Sequence, residues 1–437
     1  MAQNYSYSSN ESIKQYFRNI FDIILPILAI GIYFGYTGLM ICVILIILKV
    51  LLLGSNEKAI FFLIFGTAYF GLLFTILKIP IPGSIISLLI GFIIVYKQMF
   101  ILIRRHKKSF RYLFLFILIF FISYLYGPKT EYSNMKMISI IYYGFISLIA
   151  LLVYSTNTSI SNRDLAQVLM LVGISYIVIG IDFFSYSKPT NLFDFSYFRA
   201  SSIYLRNQDL FYISYHLPAI TILYGFSFWF SSVDLKKKEI FYLILFSITA
   251  FYVILISGTR QSLFCFFILI LFRLLYLNKK KRILNYFIVI AIFGLSFLFV
   301  SNNVTDSLNN VVEIESIEVA LNRDFIRTFD MIDNNLFFGV GLGGFYDESV
   351  SKHKYPHNII LEILCEGGLI ALIICLFLIW HYFRNKKLIK YKTQNNSFLY
   401  LIFLAFLLRA FVSEDLGSNI IMFSILLAAV TVNYKKI

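Results

Sequence analysis

The sequence predicts an all-α, polytopic transmembrane helix bundle of about 12–14 spans. Of its 437 residues, 59% are hydrophobic and 14% are charged, whereas soluble domains carry about 25% charged residues. The mean hydropathy is +0.80, and the apolar residues form blocks about 20 residues long, the length that crosses about 30 Å of hydrocarbon. Lipid is therefore the expected solvent for most of the chain.

The apolar blocks were located with a window of about 19 residues. Residues 1–17, before the first block, are polar and carry no cleavage-site pattern, so we expect a cytoplasmic tail followed by a retained first helix. The predicted spans lie near 18–35, 37–53, 59–78, 84–103, 110–126, 137–154, 165–185, 210–231, 239–257, 261–278, 283–300, 359–380, 397–412 and 417–433.

The basic residues define the expected orientation. The formal net charge is +15, which in a soluble protein would suggest nucleic acid, but here the basic residues collect in short loops, as they do in cytoplasmic loops. With the N-terminus inside, the runs at 104–108, 236–238, 279–282 and 384–392 all fall on the cytoplasmic side. No nucleic-acid partner is therefore expected.

Two longer segments then fall outside, at 186–209 and 301–358, and the second contains a predicted short helix at Ile317–Asp333. The sequence predicts a single integral membrane domain over 1–437, with the external loop 301–358 carrying part of the active site. The four cysteines lie inside apolar blocks and form neither a CxxC nor a Cys/His cluster. Neither a metal site nor a disulfide framework is therefore expected.

The first candidate functional group is Arg260, in the turn Ser257-Gly258-Thr259-Arg260 between two spans. Its expected position is the external boundary, where a guanidinium offers a fixed fork of donors to phosphate oxygens. A tight turn whose arginine snorkels to lipid headgroups is the alternative explanation.

The external loop 186–209 holds two further candidates, Arg199 and Arg206. Two arginines in one short external loop run against the positive-inside tendency, which suggests an anionic ligand. Ion pairs with Asp194 or Asp209 are the alternative.

A third set of candidates lies between residues 322 and 366. Arg323 and Arg327 are four residues apart and share one helix face. His357 precedes a span, where the helix dipole favours a neutral imidazole that can accept a proton from a hydroxyl; a capping or packing histidine is the alternative. Glu362 and Glu366 would face the outer part of the bundle, where they orient His357 or pair with an arginine.

Residues 339–344 satisfy the pattern G-x-G-x-x-G. A dinucleotide site needs a preceding strand, a following helix and a βαβ unit, whereas here a polar stretch with Pro356 follows in an external loop. The glycines instead predict a tight loop.

Three motifs follow one another along the chain: Arg199-Ala-Ser-Ser, Ser257-Gly-Thr-Arg260, and Gly339-Val-Gly-Leu-Gly-Gly-Phe345 followed by Tyr355-Pro-His357-Asn-Ile-Ile-Leu-Glu362. In this order they resemble the O-antigen ligase/polymerase superfamily, which contains Wzy-type polysaccharide polymerases and WaaL-type O-antigen ligases. The third motif is the most specific, and the resemblance covers the C-terminal half well, while the N-terminal helices match only in hydropathy. The first motif lacks the glycine and the Pro-Asn pair of many members, which leaves Arg199 versus Arg206 an open choice. Gln261 follows the second motif, where a small residue is common.

The resemblance implies glycosyl transfer on the outer face of the bacterial inner (plasma) membrane. The donor would be a glycan on undecaprenyl diphosphate, and an acceptor hydroxyl would attack its anomeric carbon. Neither a metal nor another cofactor is implied, so arginines would supply the positive charge that stabilises the leaving diphosphate. His357 would be the base or the acceptor-orienting group, with Glu362 behind it. The diphosphate-binding candidates are Arg199, Arg206, Arg260, Arg323 and Arg327.

A polymerase is favoured over a ligase. The polymerase acceptor is another lipid-linked repeat unit of O-antigen or capsule, whereas the ligase acceptor is lipid A–core. The partners implied are the lipid-linked donor and acceptor, membrane lipid and a chain-length regulator protein. A transporter of polysaccharide or lipid-linked oligosaccharide is the alternative of another class. Transporters place ionisable groups near the bilayer midplane, whereas charges within the predicted spans are sparse here, and Lys97 is the clearest case.

Overall fold

The computed structural model is helical through most of the residues that it describes, which contain no strand. The described residues are 2–30, 35–155, 162–184, 198, 201–202, 214, 216–230, 237–272, 325–346, 354–356, 358–384, 397–411 and 416–432. The all-α prediction is therefore confirmed. In chain order the helices are α1 (Ala2–Ile30), α2 (Tyr36–Leu52), α3 (Ser55–Ile76), α4 (Gly83–Arg105), α5 (Lys107–Tyr126), α6 (Glu131–Ser155), α7 (Asn162–Phe183), α8 (His216–Phe230), α9 (Lys237–Ser257), α10 (Arg260–Phe272), α11 (325–334), α12 (Ile359–Arg384), α13 (Ser397–Ala410) and α14 (Leu416–Val432).

The prediction of a polytopic membrane bundle is also confirmed. Within the described ranges, seven helices are long and apolar enough to cross a membrane: α3, α4, α5, α6, α7, α9 and α12. The predicted span near 283–300 lies outside the described residues.

One boundary differs from the sequence prediction. Helix α1 begins at Ala2, so the polar segment predicted as a tail is helical and continuous with the first apolar block. A hydropathy window measures affinity for lipid and not helicity, so it cannot detect a polar extension of this kind. The helix predicted at Ile317–Asp333 is present as α11 over 325–334, and the predicted residues before 325 lie outside the described part of the chain.

The chain packs into two compact units, each assembled from separate stretches of sequence. Unit 1 contains Met1–Gly54 and Ile160–Val311, and unit 2 contains Ser55–Ser159 and Val312–Ile437. The single membrane domain and the two external loops remain predictions.

Helix α7 is the central helix of unit 1. It packs against α2 and α8, and nearly all of its apolar stretch is buried within the protein. In its first turn, Arg163 forms an ion pair with Asp22 of α1. The two carboxylate oxygens of the next residue, Asp164, lie 2.7 Å from Arg18 Nη2 and 2.7 Å from Lys49 Nζ. This network ties α1, α2 and α7 together inside protein, which is where charges in membrane segments are tolerated.

In unit 2, α6 packs against α14, α3 packs against α4, and α5 contacts α12. Helix α3 contains a π-helical turn at Phe61–Phe65. The Ser87 hydroxyl of α4 donates to the carbonyl of Phe62 in that turn at 2.7 Å. This hydrogen bond helps satisfy a carbonyl in a turn whose backbone departs from the usual α-helical hydrogen bonding. The contact between α5 and α12 positions the residues of the candidate site.

Candidate active site

The beginning of α12 is fixed by a side-chain cap. Asn358 Oδ1 accepts the N–H groups of Ile360 and Leu361 at 3.0 and 3.3 Å, the arrangement that stabilises helix N-termini. Its Nδ2 donates to the Phe411 carbonyl at 3.3 Å. The start of α12 is therefore fixed by hydrogen bonds from Asn358 to this helix and to the Phe411 carbonyl.

Helix α12 is broken in its first half at Gly368, where φ is 71° and ψ is −177°. The break frees the carbonyls of Cys365 and Glu366, which accept the N–H groups of Val340 and Gly341 at 2.8 and 3.0 Å. Residues 339–344, hereafter the glycine loop, thus fill the gap in the helix. Irregular backbone at membrane depth requires such internal partners.

The hydrogen bonds continue on the far side of the break. The N–H group of Leu369 donates to the Leu336 carbonyl at 2.8 Å, and that of Ile370 donates to the Phe337 carbonyl at 3.3 Å. Both halves of α12 are therefore attached to the segment that follows α11.

Glycine is required where these backbones meet. Gly341 has a φ of 89°, and a Cβ added to it would lie 2.3 Å from Gly127 Cα at the end of α5. A Cβ on Gly368 would lie 2.2 Å from the Phe337 carbonyl oxygen. Close backbone packing explains the glycine run without any nucleotide.

A buried ionic cluster joins α6 to α12. Lys136 is 1% exposed, and its Nζ donates to the two carboxylate oxygens of Glu366 at 2.8 and 2.7 Å. The same Nζ pairs with Glu362 Oε1, which also accepts the N–H of Leu416 at 2.9 Å. These three residues, hereafter the Lys136 cluster, place two carboxylates on one ammonium group.

The end of α5 connects the cluster with the glycine loop. The Ser123 hydroxyl donates to the Glu366 carbonyl at 2.7 Å, and the Ser123 carbonyl accepts the N–H of Leu342 at 3.3 Å. The Tyr126 hydroxyl donates to the Phe338 carbonyl. Helices α5 and α6, the glycine loop and the first half of α12 therefore form one hydrogen-bonded block.

Arg327 of α11 contacts Phe345, the residue that follows the glycine loop. Its Nη2 donates to the Phe345 carbonyl at 2.6 Å, and its guanidinium lies 4.8 Å from the centroid of the Phe345 ring. Its Nη1 has no hydrogen-bond partner within the described residues. The side chain is thus anchored by one nitrogen, while the other is buried without a hydrogen-bond partner among the described residues.

The other candidate arginine with a described backbone is Arg260. It is the first residue of α10, after a turn in which the Ser257 and Thr259 hydroxyls lie 3.0 Å apart. Its side chain is not described. The candidates that lie outside the described residues, and whose roles stay predictions, are Arg199, Arg206, Arg323 and His357.

The structure identifies a cation that the sequence analysis did not propose for the two glutamates. Glu362 and Glu366 share one face of α12, and both pair with Lys136. Their pairing with a candidate arginine stays a prediction. Lys136 directly precedes the predicted span 137–154, where a snorkelling lysine is unremarkable. The available signal was the pair of acidic residues inside an apolar span, which requires a cation nearby.

No group of three or more His, Cys, Asp or Glu side chains suited to a metal occurs in the part of the chain that the structure describes.

One part of the chain is similar to a known protein family. Residues 245–376 match the family model described as O-antigen ligase. This stretch, about a third of the chain, is therefore similar to that family and supports the resemblance to the O-antigen ligase/polymerase superfamily. The family is one of glycosyltransferase-like enzymes, and the match lies within a polytopic membrane protein. No curated protein matches the chain at a significant level.

The matched segment contains most of the candidate site. It includes the Ser257–Arg260 turn, the glycine loop, Asn358 and both glutamates, whereas Lys136 precedes it in the chain. Arg199 and Arg206 also precede the matched segment.

Proposed function

We propose that this protein is a polysaccharide polymerase of the bacterial inner membrane. It would transfer an O-antigen or capsule glycan from undecaprenyl diphosphate to the hydroxyl of another lipid-linked repeat unit, on the periplasmic or external face. The superfamily match supports this reaction class. The choice of donor, acceptor and face is the proposal.

The positions of two motifs on their helices carry the proposal. Helix α9 begins at Lys237 within a run of lysines and ends at the Ser257–Arg260 turn. Helix α12 begins two residues after His357 and ends at Arg384, which more lysines follow. Because basic flanks stay in the cytoplasm, both motifs are expected at the external face, where an outer-leaflet donor presents its diphosphate.

The chemical step needs positive charge and a proton acceptor. The acceptor oxygen forms a bond to the anomeric carbon, and the bond from that carbon to the diphosphate oxygen breaks, so that the electron pair leaves with undecaprenyl diphosphate. Arg260, with Arg199 and the other candidate arginines, stabilises the charge that develops on the leaving group. The proton of the acceptor hydroxyl passes to His357.

The Lys136 cluster supports this site by fixing the helix that bears it. Asn358 caps α12 beside His357, and Glu362 lies one turn further along, tied to Lys136. The proposal requires the base to be preorganised beside this block, because preorganisation lowers the entropic cost of reaching the reactive geometry. Arg327 Nη2 holds the Phe345 carbonyl, and its role as a diphosphate-binding group is a proposal from the resemblance.

The ligase is the second candidate, since the matching family model is described as O-antigen ligase. Its acceptor would be lipid A–core. As in the polymerase reaction, a bond from the acceptor oxygen to the anomeric carbon would form, and the bond from that carbon to the diphosphate oxygen would break. A chain-length regulator protein is a further proposed partner for the polymerase. The transporter alternative gains no support from the match.

The test is reconstitution of the purified full chain in liposomes with a lipid-diphosphate-linked repeat unit as the sole substrate. We expect a ladder of lipid-linked oligomers and release of undecaprenyl diphosphate. His357→Ala should reduce the rate by at least about 100-fold, since a general base contributes about 10²–10⁴. Arg260→Lys should retain more activity than Arg260→Ala, because it keeps the charge but loses the fork.

The matched control is His381→Ala, at the other end of the same helix, which should polymerise normally. Wild-type chain lengths from His357→Ala would refute its assignment. Transfer to added lipid A–core, with none between repeat units, would favour the ligase, and movement of the glycan across the bilayer without bond formation would exclude both enzymes.

A further inference from the structure

Unit 2 contains a groove that has no role in the proposed chemistry. It lies between α4, α5 and α6 and has a volume of about 500 Å³, within the range of about 300–1,000 Å³ typical of ligand sites. Most of its lining is apolar, from Phe110, Phe114, Leu115 and Phe145. The rings of Phe110 and Phe145 pack 5.5 Å apart, which gives the groove an aromatic wall.

Two cations line the same groove. Lys107 and Arg111 are four residues apart on α5 and therefore share a face. Both are exposed, and neither makes an ion pair or hydrogen bond with another side chain in the described ranges. Since α5 begins at Lys107, the helix dipole adds to the positive potential there.

The groove spans two chemical layers of the expected bilayer. Helix α4 ends at Arg104 and Arg105 and α5 begins beside them, so this corner belongs on the cytoplasmic side by the positive-inside tendency. Phe114 is 63% exposed and Leu115 43%, as expected for side chains that face acyl chains. Moving along α5 from the corner, the lining thus changes from cationic to apolar.

We propose that this groove binds one anionic phospholipid of the cytoplasmic leaflet. The phosphate lies between Lys107 and Arg111, and an acyl chain follows the groove along Phe114, Leu115 and Phe145. Basic pockets between transmembrane helices on the cytoplasmic side recognise anionic headgroups, and an arginine fork suits phosphate oxygens. Ordinary snorkelling of two cations explains their position, but it does not explain an apolar groove continuous with them.

The proposal is independent of glycosyl transfer, because the groove shares no residue with the candidate active site. It predicts a selective, one-to-one complex rather than a general preference for a charged bilayer. Each cation near the headgroup contributes about five- to sixfold in affinity, so the pair should favour an anionic over a zwitterionic lipid by about 30-fold.

The experiment is native mass spectrometry of the full chain released from detergent. The protein is titrated with long-chain phosphatidylglycerol, long-chain phosphatidylcholine, dihexanoyl-phosphatidylglycerol and inorganic phosphate in separate arms. We expect one tightly retained long-chain phosphatidylglycerol per chain, with about 30-fold weaker binding of phosphatidylcholine. The short-chain lipid and phosphate should bind weakly because they cannot occupy the apolar groove.

A matched pair of double variants tests the site. Lys107→Gln with Arg111→Gln should abolish the preference for phosphatidylglycerol, whereas Arg104→Gln with Arg105→Gln, which removes the same charge outside the groove, should keep it. Equal loss in both variants, equal retention of the two long-chain lipids, or equal binding of the short-chain lipid would each overturn the proposal. Absence of any retained lipid would mean that a second copy or another part of the chain covers the groove, and would overturn it too. The comparison of lipids on the unmodified protein decides the matter even if a variant folds poorly.

Discussion

Replacing Lys136 by Met should destabilise unit 2 more than any single change to its acidic partners. The substitution keeps the volume of the side chain but removes the cation between two carboxylates that are each 0% exposed. Breaking a buried ion pair by removing one partner costs about 3–5 kcal/mol. The two remaining carboxylates would also repel each other by about 3 kcal/mol at a separation of about 5 Å and an effective dielectric constant of about 20, unless one takes up a proton.

The effect can be measured as a shift in thermal unfolding in detergent. In a domain of about 150–250 residues, 1 kcal/mol moves the Tm by about 2–4 °C, so the lost ion pair alone, at about 3–5 kcal/mol, should lower the Tm of Lys136→Met by roughly 6–20 °C. Repulsion between two ionised carboxylates would lower it further. Trp380 lies on α12, and its intrinsic fluorescence reports on this unit when Trp229 on α8 of unit 1 is replaced by Phe. Glu366→Gln should cost much less, because Lys136 and Glu362 remain as a matched pair.

A triple variant supplies the control for this reasoning. Lys136→Met combined with Glu362→Gln and Glu366→Gln leaves no buried charge in the cluster, and it should regain most of the lost Tm. If Lys136→Met is as stable as the unmodified protein, or if Glu366→Gln is equally damaging, then the cluster is not what holds α6 to α12.

Three further predictions concern the backbone, the helix cap and unit 1. Gly341→Ala should lower the Tm by several degrees, because its Cβ would lie 2.3 Å from a neighbouring Cα, whereas Gly71→Ala, whose Cβ would have its nearest contact at 3.6 Å, should change it little. Asn358→Ala should lower the free energy of unfolding by about 1 kcal/mol through loss of the N-cap, and it should also slow polymer formation. Asn358→Asp keeps the cap and should preserve stability. If the Ala variant is as stable as the unmodified protein, the cap is not needed. Asp164→Asn should cost about 3–5 kcal/mol in thermal unfolding because it strands the charge of Lys49, which is 1% exposed. Adding Lys49→Met should recover much of that loss, and failure to do so would contradict the role of this ion pair.

The sequence predicted the helices best where hydrophobicity alone determines them. The apolar blocks at 84–103 and 359–380 correspond to α4 and α12 within a few residues, because a bilayer requires a stretch of that length. The break at Gly368 was not predicted. A glycine inside an apolar run does not change its hydropathy, and the partners that stabilise the break come from a loop almost 30 residues earlier in the chain.

The buried charges were predicted only in part. The spacing of Glu362 and Glu366 correctly placed them on one helix face, but Lys136 lies 230 residues before Glu366, and no local pattern connects them. From hydropathy, Lys97 is the clearest charge within a predicted span, and the structure shows that its side chain is exposed beside the Tyr96 ring. Whether a lysine in an apolar block faces lipid or protein depends on tertiary packing, which hydropathy does not contain.

The account depends most on Arg260 and His357 meeting at one external site. Cysteines placed at Gln261 and Tyr355, in a chain whose four native cysteines are replaced, can be treated with a short, membrane-impermeant thiol cross-linker added from outside. The account predicts that this pair is joined, while a control pair at Gln261 and Trp380, at the other end of α12, is not. If both cysteines react singly but are never joined, or if they react only from opposite sides of the bilayer, the proposed site does not exist.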